Sequence, residues 1–229
     1  MRKVLVVDDE ASIRTVLRKY LEADGLAVAE APDGPAALAA LHDDPPDVVL
    51  LDVMMPGIDG IEVLRQLRAF SDVYVILVTA RTEEVDKLVG LGVGADDYVT
   101  KPFSPREVTA RVKAVLRRDR SGRADDTARL LFDGLTVDPA GREVEANGAS
   151  VALSSLEFDL LAALANAPGR VFSRGQLLQQ VWGYDFYGDE RVVDVHIRSL
   201  RSRLGDDAAD PHLIATVRGV GYKFIGRPT

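Results

Sequence analysis

Cysteine is absent from the 229 residues. Its absence excludes a disulfide framework, thiolate metal sites, haem attachment and a cysteine nucleophile, and it fits a reducing cytosol. Long hydrophobic runs are missing too, and no uncharged apolar stretch approaches the ~20 residues that span a bilayer. The opening segment, Met1-Arg2-Lys3-Val4-Leu5-Val6-Val7-Asp8-Asp9, places only four apolar residues before two acids. It does not read as a signal peptide, and the expectation is a cytoplasmic protein that makes no use of a membrane. No internal repeat is evident. What is present is 47% hydrophobic residues, enough for a real core, and a net charge of −8. That acidic total argues against a generic nucleic-acid binder, whose footprint is usually basic. The length suits one large domain or two ordinary ones.

The two halves follow different patterns. Residues 1–118 alternate short β-branched runs (Val4–Val7, Val48–Leu51, Val73–Val78, more weakly Leu26–Ala29 and Tyr98–Thr100) with helical patterns near 11–23, 34–41, 60–69, 83–91 and 105–118. Continuous apolar strands between amphipathic helices predict an α/β doubly wound parallel five-stranded sheet, with ligands beyond the carboxyl ends of its strands. Residues 119–128 are polar and aperiodic and read as a linker. Residues 129–229 begin with short strands punctuated by Pro139-Ala140-Gly141 and Asn147-Gly148, the latter a strong hairpin signal. Helical patterns follow near 154–166, 173–181 and 189–204, and two strands flank a turn at Arg218–Gly221. This order predicts an α+β domain built on a helix-turn-helix.

Asp8-Asp9 closes the first strand and Asp52 the third. In a parallel sheet these ends share one edge, and neighbouring strands lie under about 5 Å apart. Three carboxylates there repel one another unless a hard cation holds them, and oxygen-only ligands with room for water suit Mg²⁺. Thr79 and Lys101 end the fourth and fifth strands at the same edge. Acids, a hydroxyl and an ammonium around one carboxylate are equipment for moving a phosphoryl group, with the carboxylate as nucleophile. Taken singly, Asp8-Asp9 reads as a helix-capping pair, Lys101 as a surface lysine and Thr79 as a strand-end residue. The conjunction favours the phosphoryl reading. A haloacid-dehalogenase-type phosphatase needs a second acid two residues after its nucleophile, where this chain has Met54. A dinucleotide fold needs a glycine-rich turn where Asp8-Asp9-Glu10 stands.

Val-Val-Asp-Asp-Glu at 6–10, Leu-Leu-Asp-Val-Met-Met-Pro-Gly-Ile-Asp-Gly at 50–60, Val-Thr-Ala at 78–80 and Gly-Ala-Asp-Asp-Tyr-Val-Thr-Lys-Pro-Phe at 94–103 together resemble the receiver domain of two-component response regulators. The resemblance implies that Asp52 accepts a phosphoryl group from a sensor histidine kinase. It implies Mg²⁺ on Asp8, Asp9, Asp52 and the Met54 backbone carbonyl, Lys101 paired with the phosphate, and a cis peptide before Pro102. It also implies a switch in which Thr79 moves toward the phosphate and Tyr98 fills the space, and a dimer face using Lys87, Asp96, Asp97, Glu107 and Arg111, with Lys87 meeting Glu107 and Asp97 meeting Arg111 across subunits. Without the resemblance such charges read as a solvated face, since exposed pairs contribute about 0–1 kcal/mol each.

Residues 121–229 carry a net charge of −3, unevenly spread: 191–204 holds Arg191, Arg198, Arg201 and Arg203 against Asp194 alone, and 214–229 holds three basic residues and no acid. Val192, Val195, Ile197, Leu200 and Leu204 form an apolar stripe on which such a helix can dock while its arginines enter a major groove. The segments Leu153–Leu161, Gly169–Leu177, Val181–Gly183, Arg191–Arg198 and Thr216–Phe224 resemble the OmpR/PhoB-type winged helix. That implies promoter DNA contacts from Arg191, Val195, His196, Arg198, Arg201, Arg203, Thr216 and Arg218, and a loop from Trp182 to Glu190 that faces RNA polymerase in some relatives. For His196 a buried or capping role stays open, and Trp182 reads as a core anchor. Ser199 and Ser202 stand where many relatives are basic. The expected protein is a phosphorylation-activated transcriptional regulator, a homodimer when phosphorylated. The alternative is a phosphorylation-independent regulator that retains the receiver fold. Residues 129–229 offer no convergent nucleophile–base set, so no catalytic output is expected.

Overall fold

In a computed structural model of the chain, residues 1–80, 93–121, 128–182 and 190–229 are described. The expected helix at 83–91 with Lys87, residues 122–127 and the loop 183–189 lie outside them. The chain forms two compact units, Met1–Arg117 and Arg118–Thr229.

The first unit runs β1 (Lys3–Val7), α1 (Ala11–Ala23), β2 (Ala27–Ala31), α2 (Gly34–Asp43), β3 (Val48–Asp52), α3 (Gly60–Leu67), β4 (Tyr74–Ala80), β5 (Asp97–Lys101) and α4 (Pro105–Ser121). Its sheet has the order β2-β1-β3-β4-β5, parallel throughout. Strand alternation sorts the core by face. Val4, Val6, Val48, Leu50, Ile76 and Val99 pack with Leu17 and Leu21 of α1 and Val108, Val112 and Val115 of α4. Leu5, Val7, Val49 and Leu51 are equally buried and face the other way, where α2 packs on α3 and β2. Every residue of β3 is buried. Burying its four aliphatic side chains, roughly 1.5–3 kcal/mol each, outweighs the several kcal/mol lost when the Asp52 carboxylate leaves water. Asp33 and Asp59 cap α2 and α3 by accepting from Ala36 N–H and Glu62 N–H, each at 2.8 Å. α4 continues to Ser121, three residues into the segment expected to be linker.

The second unit opens with a four-stranded antiparallel sheet, β6 (Leu130–Phe132), β7 (Leu135–Asp138), β8 (Glu143–Ala146) and β9 (Ala149–Ser150). The β8–β9 turn is the expected hairpin, with Asn147 and Gly148 both at positive φ. Next come α5 (Ser155–Ala165), β10 (Val171–Ser173), α6 (Arg174–Leu177) continued by a π-turn at Leu178–Trp182, α7 (Arg191–Leu204), β11 (Ile214–Val217) and β12 (Gly221–Phe224). A Ser154–Glu157 capping box starts α5, and Gly205 ends α7 in the left-handed region. Trp182 and Phe224 are the largest fully buried side chains of this unit. The terminal hairpin gains a third strand the sequence did not reveal: β10 pairs with β12. Gly221 makes that pairing possible, because a Cβ there would stand 2.0 Å from the Phe172 carbonyl oxygen.

Candidate functional site

The sheet register assembles the expected acid cluster. Val7 is paired with Leu51, so Asp8 and Asp52 leave adjacent strands side by side. Both are buried at 2% exposure, whereas Asp9 is exposed. The three carboxylates offer oxygens within 4.8 Å of one another. β5 lies two strands from β3, and Lys101 at its end reaches back across β4. Its Nζ donates to Asp52 Oδ2 at 2.9 Å and to Asp8 Oδ2 at 3.0 Å. Burial alone would push the Lys101 ammonium down, but its hydrogen bonds to Asp52 and Asp8 outweigh this and hold it above its ordinary value. Burial pushes the Asp52 carboxyl up, and the ammonium opposes that only in part. The Lys101–Pro102 peptide is cis, as the resemblance implied.

Neighbouring backbone holds these groups in place. Asp8 Oδ1 accepts from Glu10 N–H at 2.9 Å and Asp52 Oδ1 from Met54 N–H at 3.3 Å. Capping does not account for the pair: the N-cap of α1 is Glu10, without a side-chain cap. Gly60 lies so close to the end of β3 that a Cβ would stand 2.1 Å from the Asp52 carbonyl oxygen. The Asp-Gly that starts α3 thus fits the helix against the end of β3. Thr79 is buried at the end of β4, and Tyr98 is half-buried on the neighbouring β5. The oxygen-only donors, two of them buried and neutralised chiefly by one lysine, fit a hard divalent cation such as Mg²⁺.

The expected dimer face is only partly available. Asp96 is completely buried and accepts from Arg68 Nη2 at 2.9 Å and Val75 N–H at 2.8 Å, so it ties α3 to β4 and is not a surface contact. Asp97 and Arg111, expected to meet across subunits, pair within the chain at 2.9 Å with both largely buried. Arg111 also binds Glu107 at 2.9 Å, one helical turn away. Breaking a buried pair of this kind costs about 3–5 kcal/mol, which favours the internal pairing.

The recognition helix is corrected in two places as well. Of the predicted stripe, Val192, Ile197, Leu200 and Leu204 are buried, Val193 and His196 join them on the docked face of α7, and Val195 is only half-buried. His196 is fully buried against the Trp182 ring, centroids 5.6 Å apart, so it does not reach DNA. Arg201 is also buried, and its guanidinium donates to the Ile214 carbonyl at 2.6 Å and to Thr216 Oγ1 at 2.9 Å. It fastens the helix to β11. Arg191, Arg198, Arg203, Thr216 and Arg218 are exposed, Arg218 at the tip of the hairpin. Ser199 is no vacant phosphate anchor, since its hydroxyl donates to Glu157 Oε1 at 2.5 Å. Asp194, the sole acid of α7, accepts from Arg174 Nε at 2.7 Å and from Tyr222 Oη at 2.6 Å. These contacts cover the one negative charge among the arginines.

Burial, and then the hydrogen bond to Asp194, push the Tyr222 hydroxyl up to about 12 from an ordinary 10.0. The folded state therefore keeps its proton where the unfolded chain has lost it. The resulting stability is complete below pH 10 and lost as pH rises through about 12. Urea melts followed by Trp182 fluorescence should fall more steeply over that interval in the wild type than in Tyr222→Phe. Equal slopes would contradict the assignment.

Residues 4–113 match the family described as response regulator receiver domain, and residues 148–224 match transcriptional regulatory protein, C terminal. The chain is 47% identical over 228 residues to the sensory transduction protein RegX3 of Mycolicibacterium smegmatis, covering 99% of this chain and 100% of that one. It is 46% identical over 223 residues to the DNA-binding response regulator MtrA of Mycobacterium tuberculosis, covering 97% and 96%. Among solved structures it resembles DrrB, a Thermotoga maritima OmpR/PhoB homologue, with a TM-score of 0.53 and 35% identity over 99% of this chain and 100% of that one. A RitR mutant matches with a TM-score of 0.81 and 28% identity over 98% and 99%. No helix among the described residues is long and apolar enough to cross a membrane. With the receiver site and winged helix both in place, the chain belongs to the OmpR/PhoB-type response regulators, as a transcriptional regulator with a receiver and a DNA-binding domain.

Proposed function

We propose that Asp52 takes a phosphoryl group from the phosphohistidine of a sensor histidine kinase in the cytoplasm, where this chain acts, and that this modification promotes dimerisation and promoter binding. The observation that carries the reading is the Lys101 ammonium held between the Asp52 and Asp8 carboxylates. A carboxylate oxygen of Asp52 attacks phosphorus, the P–N bond breaks and the imidazole departs. Lys101 is already within hydrogen-bond distance of the attacking group and can follow the new charge on the phosphoryl oxygens. Mg²⁺, held by Asp8, Asp9, Asp52 and the Met54 carbonyl, would supply charge neutralisation at those oxygens when bound. Thr79 turns toward the phosphate and Tyr98 follows, carrying the signal to the β4–β5 side of the sheet.

On that side, Glu107 is half-buried and the most accessible of the described members of the charge set, and Lys87 is its proposed partner in a second subunit. Two winged helices on tandem half-sites raise effective affinity without new contacts per domain. Arg191, Arg198 and Arg203 read the groove with Val195, Thr216 and Arg218 engage the adjoining backbone, and the loop after Trp182 faces RNA polymerase. Selection of bound sequences from random duplex DNA, with phosphorylated and unphosphorylated protein, tests the reading. Tandem half-sites enriched only by the phosphorylated form support it. Indifference to phosphorylation would favour a regulator that merely retains the fold.

A further inference from the structure

We propose that Arg14 is a positioning residue for the metal site, acting on Asp9 through the backbone; the inference rests on the Mg²⁺ reading above. Of the three clustered acids, two have side chains fixed by donors. Asp8 is held by Glu10 N–H and Lys101, and Asp52 by Met54 N–H and Lys101. Asp9 is exposed, so the direction of its carboxylate depends on how its peptide is set. Arg14 sets that peptide. Its Nη1 donates to the Asp8 carbonyl at 2.6 Å and to the Asp9 carbonyl at 3.1 Å. A helical side chain leans back toward the N-terminus of its helix, and from the first turn of α1 this one reaches the carbonyls just before the N-cap. One nitrogen thereby orients two consecutive peptide planes where the chain leaves β1.

A guanidinium so near a dication would by itself oppose binding. Glu30 on β2 offsets it, accepting from Arg14 Nε at 3.3 Å while its other oxygen pairs with Arg18 at 2.8 Å. Arg14 can therefore orient the acids at little electrostatic cost to the cation. The two effects predict opposite signs. If Arg14 acts only through charge, its removal tightens Mg²⁺ binding; if it positions Asp9, its removal weakens binding.

Calorimetric titration of the full chain with Mg²⁺ separates these, for wild type, Arg14→Ala, Arg14→Lys and Asp9→Asn, with urea melts recorded without metal. The expected result is an affinity about tenfold weaker in Arg14→Ala, the low end of what losing an outer partner costs a metal site. Arg14→Lys, which keeps the charge and can reach one carbonyl, should fall between. Wild-type or tighter binding in Arg14→Ala, with Asp9→Asn weakened, overturns the proposal and leaves the metal site standing. Binding in Asp9→Asn equal to wild type would instead remove the metal reading itself. Should Arg14→Ala unfold, Arg14→Lys decides: wild-type affinity in that variant overturns the inference and weakened affinity with an unchanged melt supports it.

Discussion

Asp52→Asn is expected to abolish incorporation of acid-labile phosphate from a small phosphodonor in Mg²⁺, a loss of at least about 10³-fold, while the fold survives. Asn has the shape of Asp but no anionic oxygen to attack phosphorus, so the loss comes from chemistry and not from packing. Stability should hold or rise. Burial pushes the Asp52 carboxyl up, which means the folded state pays a desolvation cost that a neutral amide avoids. Lys101 keeps Asp8 as a partner at 3.0 Å, so no ammonium is stranded. Phosphate mass labelling and a urea melt on the same sample check both halves. Retained labelling at the wild-type stoichiometry would move the phosphoacceptor elsewhere.

The second large effect separates two arginines that look alike in sequence. Arg198→Ala should weaken binding to a selected duplex by about 1–3 kcal/mol, roughly fivefold to 150-fold, and reduce the salt dependence if phosphate is its partner. Its melting temperature should barely move, because the side chain is exposed. Arg201→Ala should do the reverse at first: the Ile214 carbonyl and Thr216 hydroxyl lose a buried donor, costing about 1–3 kcal/mol of stability. DNA binding then suffers through a loosened helix–hairpin junction, with little change in the salt slope. Anisotropy titrations at several salt concentrations, paired with thermal melts, distinguish the two. Equal salt slopes and equal melts for both variants would contradict the assignment.

That contrast shows what the sequence could reveal. Strand ends were legible because continuous apolar runs end in acids at Asp8 and Asp52, and parallel pairing brings such ends together. The cluster with Lys101 followed from topology alone. The charge pairs were harder, because a charged residue in sequence does not declare its partner. Asp96 turned inward to Arg68 and Val75, and Asp97 took Arg111 from its own chain. The recognition helix failed in the same way. Arg201 lies on its buried face, as does His196, for which burial had stayed open, and Val193 beside the expected Val192 marks that face. β10 has three residues, too short for any period to emerge, and only the bare Gly221 opposite hinted that a backbone must pass close by. The first hairpin of the second unit carries its own turn signal in Asp133-Gly134, with Gly134 at positive φ.

Net charge was the poorest guide of all. The total of −8 includes an acid cluster suited to a cation, while seven of the twelve basic residues in 121–229 lie in 191–204 and 214–229, where Asp194 is the one acid. Affinity for DNA follows those local contacts.

Phosphorylation at Asp52 is proposed to govern DNA binding by the winged helix. This dependence is tested most directly by anisotropy titration of a selected duplex with wild type and Asp52→Asn, each with and without phosphodonor and Mg²⁺. The expected result is affinity at least about tenfold tighter for phosphorylated wild type, in the range of ordinary coupling free energies, and no response in Asp52→Asn. Stoichiometric phosphorylation of the wild type with unchanged affinity would contradict it.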